Sequence, residues 1–449
     1  MKTLKTLRRL LFFGYQSSIP QRQLVVGYLI HIIIGTILLL LPWANAGTPV
    51  HLVDQLFTAV SALSTTGLCT IDVASHYTLF GQAVILCLMQ MGGLGYMTLS
   101  SFLMLGITHH MGRNAHNIFL AQFALPGGIG IRTMLRAIIL FTLFFETLGT
   151  LLLYLCFSAH GIDHPLWTAV FHAVSAFCTA GFSTFSGNMT AFRTDYAVNL
   201  IIILLSYMGA MGFIMMTDIA RWLRYRKHSI SFTTRIIFII TCGLSLFATL
   251  HLFFLEPSLR SLPFGERLLA AFFQAVSAMT TTGFNTIDIS PFMPLSLFVL
   301  TITMYIGASP SGTGGGLKST TLSAIFAYTK SKLQMREDIT LAGNIIPRYR
   351  IETAVTTVIF YTFLLFTGTY IIMLAEPSGT SLINVLFESV SALATTGLTS
   401  GLLASLTPWS KCVLIVLMFA GRVGVITFAG AFLMGTMQKK ALHGQDLAV

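Results

Sequence analysis

The segment FQAVSAMTTTGF at Phe273–Phe284 has three counterparts elsewhere in the chain. They are FTAVSALSTTGL at Phe57–Leu68, FHAVSAFCTAGF at Phe171–Phe182 and FESVSALATTGL at Phe387–Leu398. In every copy a serine follows the first aromatic residue by four positions and a glycine follows it by ten. The four glycines are spaced by 114, 102 and 114 residues, whereas solenoid repeats are roughly 20 to 50 residues long. The repeating unit therefore contains several secondary-structure elements.

The composition is that of an integral membrane protein. Charged residues make up 9% of the chain and hydrophobic residues 55%, far from the roughly 25% charged residues of an average soluble domain. Eight apolar runs each suffice for a membrane-spanning helix of about 20 residues. These runs are 24–43, 83–107, 137–157, 197–216, 236–255, 295–327, 353–374 and 412–435. Three of them place a charge at membrane depth, namely Glu146, Lys318 and Arg422.

The basic residues predict the topology. Of the 26 lysines and arginines, 20 fall on one side of the eight predicted spans. Only Arg193, Arg260, Arg267 and Lys411 fall on the other side. Because basic loops remain in the cytoplasm, we predict a multi-pass protein of the cell membrane with both termini cytoplasmic. This distribution also explains the net charge of +11, so membrane lipid is the expected surrounding and no nucleic-acid partner is expected.

Each repeated segment predicts a helix that crosses half of the membrane. From Asp54, a candidate N-cap, to Thr65 the first copy holds about a dozen helix-forming residues, or about 18 Å of helix. The hydrocarbon core is roughly 30 Å thick, so the chain must return to the surface from which it entered. A helix ending in mid-membrane leaves carbonyls unpaired and places partial negative charge there. Lipid cannot satisfy those carbonyls, and four such ends on one axis make a cation site.

The predicted fold is an all-α integral membrane protein with four parallel membrane-pore-membrane repeats. It has eight transmembrane helices and four re-entrant pore helices around a central pseudo-fourfold pore. A single copy of the segment would favour an interfacial turn, but four copies favour a pore. The glycines accept the positive φ that a ring of converging carbonyls requires, and such a ring replaces the hydration shell of an ion. The predicted ion-binding residues are Thr65, Thr66, Gly67, Leu68, Thr179, Ala180, Gly181, Phe182, Thr281, Thr282, Gly283, Phe284, Thr395, Thr396, Gly397 and Leu398.

The domain boundaries follow from the repeats. We predict a cytoplasmic N-terminus at 1–23, repeat 1 at 24–112 and repeat 2 at 113–230. Repeat 3 is predicted at 231–346, repeat 4 at 347–437, and a cytoplasmic C-terminal tail at 438–449. Asp72 and Asp288, each five residues after a repeated glycine, either concentrate cations at the outer mouth or form a solvated rim.

The second helix of each repeat carries a further glycine. Gly92, Gly209, Gly307 and Gly421 stand 25, 28, 24 and 24 residues after the glycines of the segments. Repeats 1 and 2 continue as GGLGYM and GAMGFIM, which we expect to stay helical and to pack closely. Repeat 3 continues as GASPSGTGGG, which cannot remain a regular helix. This stretch superficially resembles a phosphate-binding loop, but Leu317 separates Gly316 from Lys318 and no strand precedes it.

We predict that the break in repeat 3 is a gate, with a static hinge as the alternative. Arg422 directly follows Gly421, and a charge at this depth costs at least about 2.5–3.5 kcal/mol unless it faces water or a partner. Two hypotheses remain for it: a barrier in the cation path, or a structural ion pair with Glu146. The predicted gate residues are Ala308, Ser309, Pro310, Ser311, Gly312, Thr313, Gly314, Gly315, Gly316 and Arg422.

At these residues the sequence resembles the Trk/Ktr/HKT superfamily of potassium transporters, over residues 20–437, and most closely the membrane subunit of a Ktr-type potassium uptake system. The resemblance implies that the four glycines form a potassium-selective filter, that 308–316 is the gating loop and that Arg422 is the pore arginine. Family members with serine in place of the first filter glycine tend to pass sodium, so Gly67 argues for potassium. Ala180 departs from the threonine of the other repeats, which matters little if the contacts are backbone carbonyls.

The resemblance also implies partners. Such subunits form homodimers, each protomer with its own pore, on a cytoplasmic ring of nucleotide-binding regulatory subunits of the RCK type. The transported ion is potassium, sodium is a candidate second ion, no covalent cofactor is expected, and the nucleotide belongs to the partner. The chain is not expected to be an enzyme, since an intramembrane hydrolase using Ser309 or Ser311 would lack a GxSxG motif. A carrier built on inverted repeats is disfavoured because these repeats are parallel.

Overall fold

The computed structural model describes residues 20–47, 51–95, 131–224 and 229–433. The predicted N-terminal segment before residue 20, the predicted tail and the end of the second predicted span lie outside these residues. Repeat 1 consists of α1 (Pro20–Leu40), the pore helix α2 (Leu52–Leu63), the helical turn α3 (Val73–His76) and α4 (Leu79–Leu94). Repeat 2 consists of α5 (Ile131–Ala159), the pore helix α6 (Pro165–Phe177) and α7 (Tyr196–Arg224).

Repeats 3 and 4 follow the same plan. Repeat 3 consists of α8 (Phe232–Leu255), the pore helix α9 (Phe264–Met279), α10 (Pro294–Ile306) and α11 (Ser319–Leu333). A small antiparallel hairpin of β1 (Thr340–Leu341) and β2 (Asn344–Ile345) leads into repeat 4. Repeat 4 consists of α12 (Arg348–Ala375), the pore helix α13 (Leu382–Leu393), α14 (Pro408–Val423) and α15 (Val425–Leu433). The predicted all-α fold of four parallel repeats is confirmed.

The predicted membrane crossings differ in regularity. Among the described residues, five continuous helices are long and apolar enough to span a membrane, namely α1, α5, α7, α8 and α12. Helices α14 and α15 together form a sixth span that is bent by 102°. The second predicted span, 83–107, is described only as far as Gly95. The predicted span of repeat 3 at 295–327 is divided between α10 and α11. The second helices of the repeats are therefore the irregular ones.

The repeats are arranged in layers around the pore helices. The aromatic residues that open the repeated segments are buried, with at most 2% of each residue exposed; they are Phe57, Phe171, Phe273 and Phe387. In the most apolar stretch of α7, a second helix, 72% of the residues are buried inside the molecule. In the corresponding stretches of the first helices α5 and α12, 28% are buried. Large apolar side chains such as Phe144 and Phe366 are exposed on those first helices. The first helices therefore form the lipid-facing layer, because only a membrane makes such a surface stable.

The first pore helix begins earlier than predicted. Helix α2 starts at Leu52 after His51 as N-cap, so the prediction of Asp54 as N-cap was wrong. Asp54 lies instead in the first turn, where a carboxylate interacts favourably with the helix dipole. It also accepts a 2.8 Å hydrogen bond from Lys411 Nζ at the start of α14. This contact joins repeat 1 to repeat 4.

The expectation that the second helices of repeats 1 and 2 stay helical was wrong. Helix α4 ends at Gly95 with a φ of +77°, and α7 is kinked at Gly212 with a φ of +83°. In repeat 4, α14 ends at Gly424 with a φ of +90°. Each of these glycines lies three residues after a glycine aligned above, and only glycine accepts such angles without a steric penalty. The second helices of repeats 2, 3 and 4 are therefore interrupted, and that of repeat 1 leaves the helical conformation at Gly95. The side of the molecule where the pore helices begin is called here the entrance side, and the opposite side is called the basic side.

Candidate functional site

The four pore loops meet in a closed ring. A Cβ atom added to Gly67 would collide with the carbonyl oxygen of Ala180 in repeat 2. The same collision recurs from each repeat to the next: Gly181 with the carbonyl of Thr282, Gly283 with that of Thr396, and Gly397 with that of Thr66. Because the glycine of repeat 4 meets the carbonyl of repeat 1, the loops surround one axis in chain order. Four backbone oxygens, each from the residue before a glycine, belong to this ring.

The backbone angles alternate along each loop. The glycines have φ values of +87°, +66°, +85° and +93° in chain order. The threonine two positions earlier also has a positive φ in every repeat: 52° at Thr65, 52° at Thr179, 53° at Thr281 and 49° at Thr395. A β-branched residue rarely adopts such angles, so its recurrence means that the surrounding structure imposes them. In a regular strand successive carbonyls face opposite sides, and this alternation removes that restriction.

The repeated serine ties the beginning of each loop to its end. Its carbonyl accepts a hydrogen bond of 2.7 to 2.9 Å from the backbone N–H of the residue before the glycine, in all four repeats. Its hydroxyl donates to the residue after the glycine in repeats 2 and 3, from Ser175 to Phe182 O at 2.8 Å and from Ser277 to Phe284 O at 2.6 Å. In repeat 4, Ser391 Oγ accepts from Gly397 N at 3.1 Å. These hydroxyl bonds account for the serine in repeats 2, 3 and 4, whereas Ser61 Oγ of repeat 1 has no hydrogen-bond partner among the described residues.

A cavity of about 330 Å³ lies on the entrance side of the ring. Gly67, Gly181 and Gly397 line it, together with Asp72 and Asp288. The carboxylates accept hydrogen bonds from neighbouring serine hydroxyls at 2.6 to 2.8 Å. No group of three or more His, Cys, Asp or Glu side chains able to hold a metal ion occurs within the described ranges. The polar groups that meet at the ring are the backbone carbonyl oxygens of Thr66, Ala180, Thr282 and Thr396.

The chain between α10 and α11 lies directly beneath the ring. Thr313 Oγ1 is 3.2 Å from Thr179 Oγ1 in repeat 2, and Gly315 N donates to Thr281 Oγ1 in repeat 3 at 2.7 Å. A Cβ atom on Gly315 would collide with Ala394 O in repeat 4. The loop therefore contacts the pore loops of three repeats, and its close approach requires glycine.

The kink of α7 at Gly212 frees backbone groups that form hydrogen bonds with this loop, and this binding site on α7 is called here the seat of the loop. Ser309 N and Ser309 Oγ both donate to Ala210 O, at 3.2 and 3.0 Å. Phe213 N in turn donates to Ser311 O at 3.3 Å. Backbone groups that a straight α7 would bond internally are thus paired with the loop instead. Both serine hydroxyls contact backbone groups here, which gives no support to a catalytic serine.

Arg422 connects the loop to repeat 1. Its guanidinium donates to the carbonyl oxygens of Thr313 and Gly92. Glu146, the partner considered in the sequence analysis, accepts instead from Gln90 Nε2 at 3.0 Å. No ion pair joins Glu146 to Arg422 in the described part of the chain, so that alternative was wrong. The guanidinium charge is stabilised by backbone carbonyls, as intramembrane charges commonly are.

A second cavity, of about 270 Å³, lies on the basic side of the ring. It is lined by Arg422, Lys318, Thr395 and Gly424, among others, and none of the described residues that line it is acidic. Lys318 Nζ donates to Gly314 O at 2.5 Å, so its ammonium group is held against the loop. Two positive side chains thus face the cavity below the ring, whereas two carboxylates face the cavity above it.

The family described as TrkH, cation transport protein, matches residues 15–441. The chain belongs to this family. This membership agrees with the fold and with the expectation of a transport protein rather than an enzyme. The resemblance inferred from the repeated segments is therefore confirmed.

Curated relatives match along almost the whole chain. Ktr system potassium uptake protein B of Bacillus subtilis is 32% identical over 418 residues, which cover 92% of this chain and 93% of the relative. The protein of the same name from Vibrio alginolyticus is 34% identical, covering 91% of this chain and 90% of the relative. The potassium/sodium uptake protein NtpJ of Enterococcus hirae is 29% identical, covering 94% of both chains.

A solved structure has the same fold. The crystal structure of the potassium transporter TrkH from Vibrio parahaemolyticus aligns with a TM-score of 0.69. It covers 90% of this chain and 84% of that chain at 22% sequence identity. The similarity shows that the fold of this chain occurs in an experimentally determined structure.

The structure brings the sixteen predicted ion-binding residues together in the ring and places the predicted gate residues beneath it. Sequence reasoning missed the helix end at Gly95 and the kink at Gly212, although both glycines were visible in GGLGYM and GAMGFIM, three residues after Gly92 and Gly209. It also missed the residue after the aromatic of each repeated segment. That position holds four different polar residues in otherwise similar segments, Thr58, His172, Gln274 and Glu388.

Proposed function

We propose that the chain is the potassium-conducting membrane subunit of a Ktr-type uptake system in the cell membrane. The observation that carries the proposal is the closed ring in which each of the four glycines meets a carbonyl of the next repeat. A ring of backbone oxygens replaces the hydration shell of a cation without placing a fixed charge in its path. The two relatives named potassium uptake protein B support potassium as the ion.

The ring is proposed as the selectivity filter. In this proposal potassium binds to the backbone oxygens of the sixteen residues predicted above, and the entrance side faces the cell exterior. The C-terminal ends of α2, α6, α9 and α13 all point toward the ring, so their dipoles add negative potential there. The carboxylates of Asp72 and Asp288 raise the local cation concentration at the mouth. Both termini are then cytoplasmic, in keeping with the positions of the basic residues.

The loop at 308–316 and Arg422 are proposed as the gate. The support is their position, since the loop contacts repeats 2, 3 and 4 and Arg422 extends these contacts to repeat 1. Together they lie across the path between the two cavities. Arg422 and Lys318 add a positive potential that opposes a cation leaving the ring. Conduction then requires the loop and the guanidinium to move aside.

The expected partners belong to the same proposal. We propose a homodimer, with a separate pore in each protomer, docked on a cytoplasmic ring of nucleotide-binding regulatory subunits. The basic residues near the hairpin, Lys330, Lys332, Arg336, Arg348 and Arg350, offer a charged surface for docking. The nucleotide binds to the partner. Sodium enters as a candidate coupled ion, an idea supported by the potassium/sodium uptake relative from Enterococcus hirae.

Growth at low external potassium tests the function. The chain is expressed with a Ktr-type regulatory subunit in a bacterial host that lacks its own potassium uptake systems, and potassium and sodium fluxes are measured in parallel. Growth rescue with a potassium flux that exceeds the sodium flux is the expected result. Rescue failure with protein present in the membrane, or a flux that does not distinguish the ions, would overturn the assignment of a potassium filter.

A further inference from the structure

The residue after the aromatic of each repeated segment lies behind the ring. In chain order these residues are Thr58, His172, Gln274 and Glu388, and each is 0% exposed. A buried polar side chain is stable only where it is hydrogen-bonded. Their partners therefore reveal what each one does for the adjoining pore loop.

In repeat 4 the side chain of Glu388 binds the chain segment that follows the ring glycine; this segment is called here the exit strand of the repeat. Glu388 Oε1 accepts three hydrogen bonds, from Thr399 Oγ1 at 2.7 Å, from Ser400 N at 2.8 Å and from Ser400 Oγ at 3.0 Å. Thr399 and Ser400 follow Gly397 by two and three residues. The carboxylate thus connects the pore helix α13 to the exit strand immediately after the ring glycine.

In repeat 2 a histidine makes the equivalent connection. His172 Nδ1 is 2.8 Å from Thr168 O, and because a carbonyl only accepts, this ring nitrogen carries the proton. In the neutral imidazole the other nitrogen, Nε2, then accepts from Ser183 Oγ at 2.9 Å. Ser183 follows Gly181 by two residues, as Thr399 follows Gly397. The two exit strands are therefore held at corresponding positions by unrelated side chains.

Repeats 1 and 3 lack this connection. Thr58 Oγ1 donates to Asp54 O of its own helix, and neither amide atom of Gln274 has a hydrogen-bond partner among the residues that the structure describes. The hydroxyls of Thr70 and Thr286, which occupy the position of Ser400 in these repeats, have no hydrogen-bond partner among the described residues, and the same holds for Thr184 at this position of repeat 2. Among the described residues, the side chain at this position thus bonds the segment two to three residues after the ring glycine in repeats 2 and 4 and not in repeats 1 and 3, where other contacts hold the chain: Tyr77 OH donates to Gln55 Oε1, and Met189 N to Asn285 O.

We propose that His172 and Glu388 are positioning residues that determine the preference of the filter for the larger cation. The proposal rests on the proposed potassium function. Repeats 2 and 4 face each other across the axis, because the ring follows chain order. Restraining two facing strands prevents the ring from contracting. A contracted ring brings its carbonyls closer together and favours a smaller ion, whether selectivity comes from fit or from field strength.

The test compares substitutions of Glu388 that separate its role as an acceptor from its charge. Glu388→Gln keeps an oxygen that accepts the three hydrogen bonds, whereas Glu388→Ala removes it. With full-length protein in the uptake-deficient host, Glu388→Ala is expected to lower the ratio of potassium to sodium flux by about tenfold, as expected for lost hydrogen bonds to a charged group. Glu388→Gln is expected to retain the parental ratio. The matched control is Gln274→Ala at the same position of repeat 3, whose ratio is expected to stay unchanged.

The flux ratio distinguishes a positioning role from a structural one. A merely structural Glu388 would reduce the amount of folded protein and the maximal rate while leaving the ratio per protein intact, and that result overturns the proposal. The proposal is also overturned if the ratio of potassium to sodium flux falls in Glu388→Gln as well, or if it falls equally in Gln274→Ala. If Glu388→Ala does not reach the membrane, the double variant Thr399→Val with Ser400→Ala removes the two hydroxyl donors and keeps the Ser400 N–H, and its flux ratio is expected to fall in the same direction. A parental protein without potassium preference would instead contradict the proposed function itself.

Discussion

Two constraints require glycine at position 67. Its φ is +87°, and the carbonyl oxygen of Ala180 occupies the space that a Cβ atom would need. A non-glycine residue with such an angle is strained by roughly 1–2 kcal/mol, and any Cβ would push the neighbouring repeat away. We predict that Gly67→Ser lowers the ratio of potassium to sodium flux by about tenfold, the factor that roughly 1.4 kcal/mol of differential binding produces. Parallel ion fluxes in the uptake-deficient host measure it.

Gly243 on α8 supplies the control for that substitution. Nothing lies within 4 Å of a Cβ atom added there, so Gly243→Ser is expected to leave the flux ratio unchanged. A well-expressed Gly67→Ser protein with the parental ratio would remove Gly67 from the filter.

Arg422 is predicted to be a barrier whose removal raises flux. Its guanidinium bridges Thr313 in the loop and Gly92 in repeat 1, and hydrogen bonds of charged groups contribute roughly 1.5–3 kcal/mol each. Arg422→Ala removes both the bridge and the positive charge, so potassium flux per protein is expected to rise by about tenfold or more. Arg422→Lys keeps the charge but loses the two-pronged contact, and its flux is expected to lie in between. A stable Arg422→Ala protein with parental flux would contradict the barrier.

At the scale of elements, the interrupted second helix of repeat 3 is predicted to act as the gate. Its Pro and Gly content prevents continuous helical hydrogen bonding, so the loop changes position without breaking a regular helix. Deletion of Ser311–Gly316 is expected to give much faster potassium flux that responds weakly to the regulatory subunit. Flux measured with and without that subunit tests this, with expression and dimer formation checked in parallel. Low flux with full regulation would leave the loop as a static hinge.

The kink of α7 allows a milder test of the same element. A Cβ atom on Gly212 would lie 2.6 Å from Pro310 O and 2.8 Å from Ser309 Oγ, and its φ of +83° disfavours any other residue. Gly212→Ala is therefore expected to displace the loop, raising flux and lowering the melting temperature of the purified protein. Gly243→Ala is the control, with no change expected in either quantity. Parental flux in Gly212→Ala would show that the seat on α7 does not hold the loop.

At the scale of the molecule, the ring depends on contact between the first and last repeats. Lys411 Nζ lies 2.8 Å from Asp54 Oδ1, and the two side chains are only 17% and 14% exposed. Removing one partner of a largely buried pair leaves the other charge unpaired. Asp54→Asn is therefore predicted to lower the free energy of unfolding by about 1–3 kcal/mol, measured by thermal or denaturant unfolding in detergent.

A charge exchange and a surface pair sharpen this prediction. The double variant Asp54→Lys with Lys411→Asp is expected to recover part of the loss, but not all of it, because a lysine in the first turn of α2 opposes the helix dipole. The pair of Arg348 and Glu352 is 91% and 69% exposed, so Glu352→Gln is expected to change stability little. Equal effects of Asp54→Asn and Glu352→Gln would mean that the contact between the repeats contributes nothing specific.

The sequence alone determined the fold class, the four repeats and the location of the pore loops. Each of these follows from properties that act within one repeat: apolar runs of spanning length, a half-length helix and a glycine in register. The break in repeat 3 followed in the same way from its Pro and Gly content. The helix end at Gly95 and the kink at Gly212 did not, because GGLGYM and GAMGFIM are both compatible with a helix, and at Gly212 it is the loop of repeat 3 that pairs with the backbone of α7.

Only the tertiary structure decided which groups meet across the repeats. The sequence left two roles open for Arg422, a barrier in the cation path or an ion pair with Glu146. Packing gave it the carbonyls of Thr313 and Gly92, which lie 109 and 330 residues away in the chain. It likewise bonded Glu388 to the segment after Gly397 and left Gln274 without a hydrogen-bond partner among the described residues, although both occupy the same position of the repeated segment. The physical reason is that the energy of a buried polar or charged group depends on the donors and acceptors around it, and those are brought together only when four distant segments close into one ring.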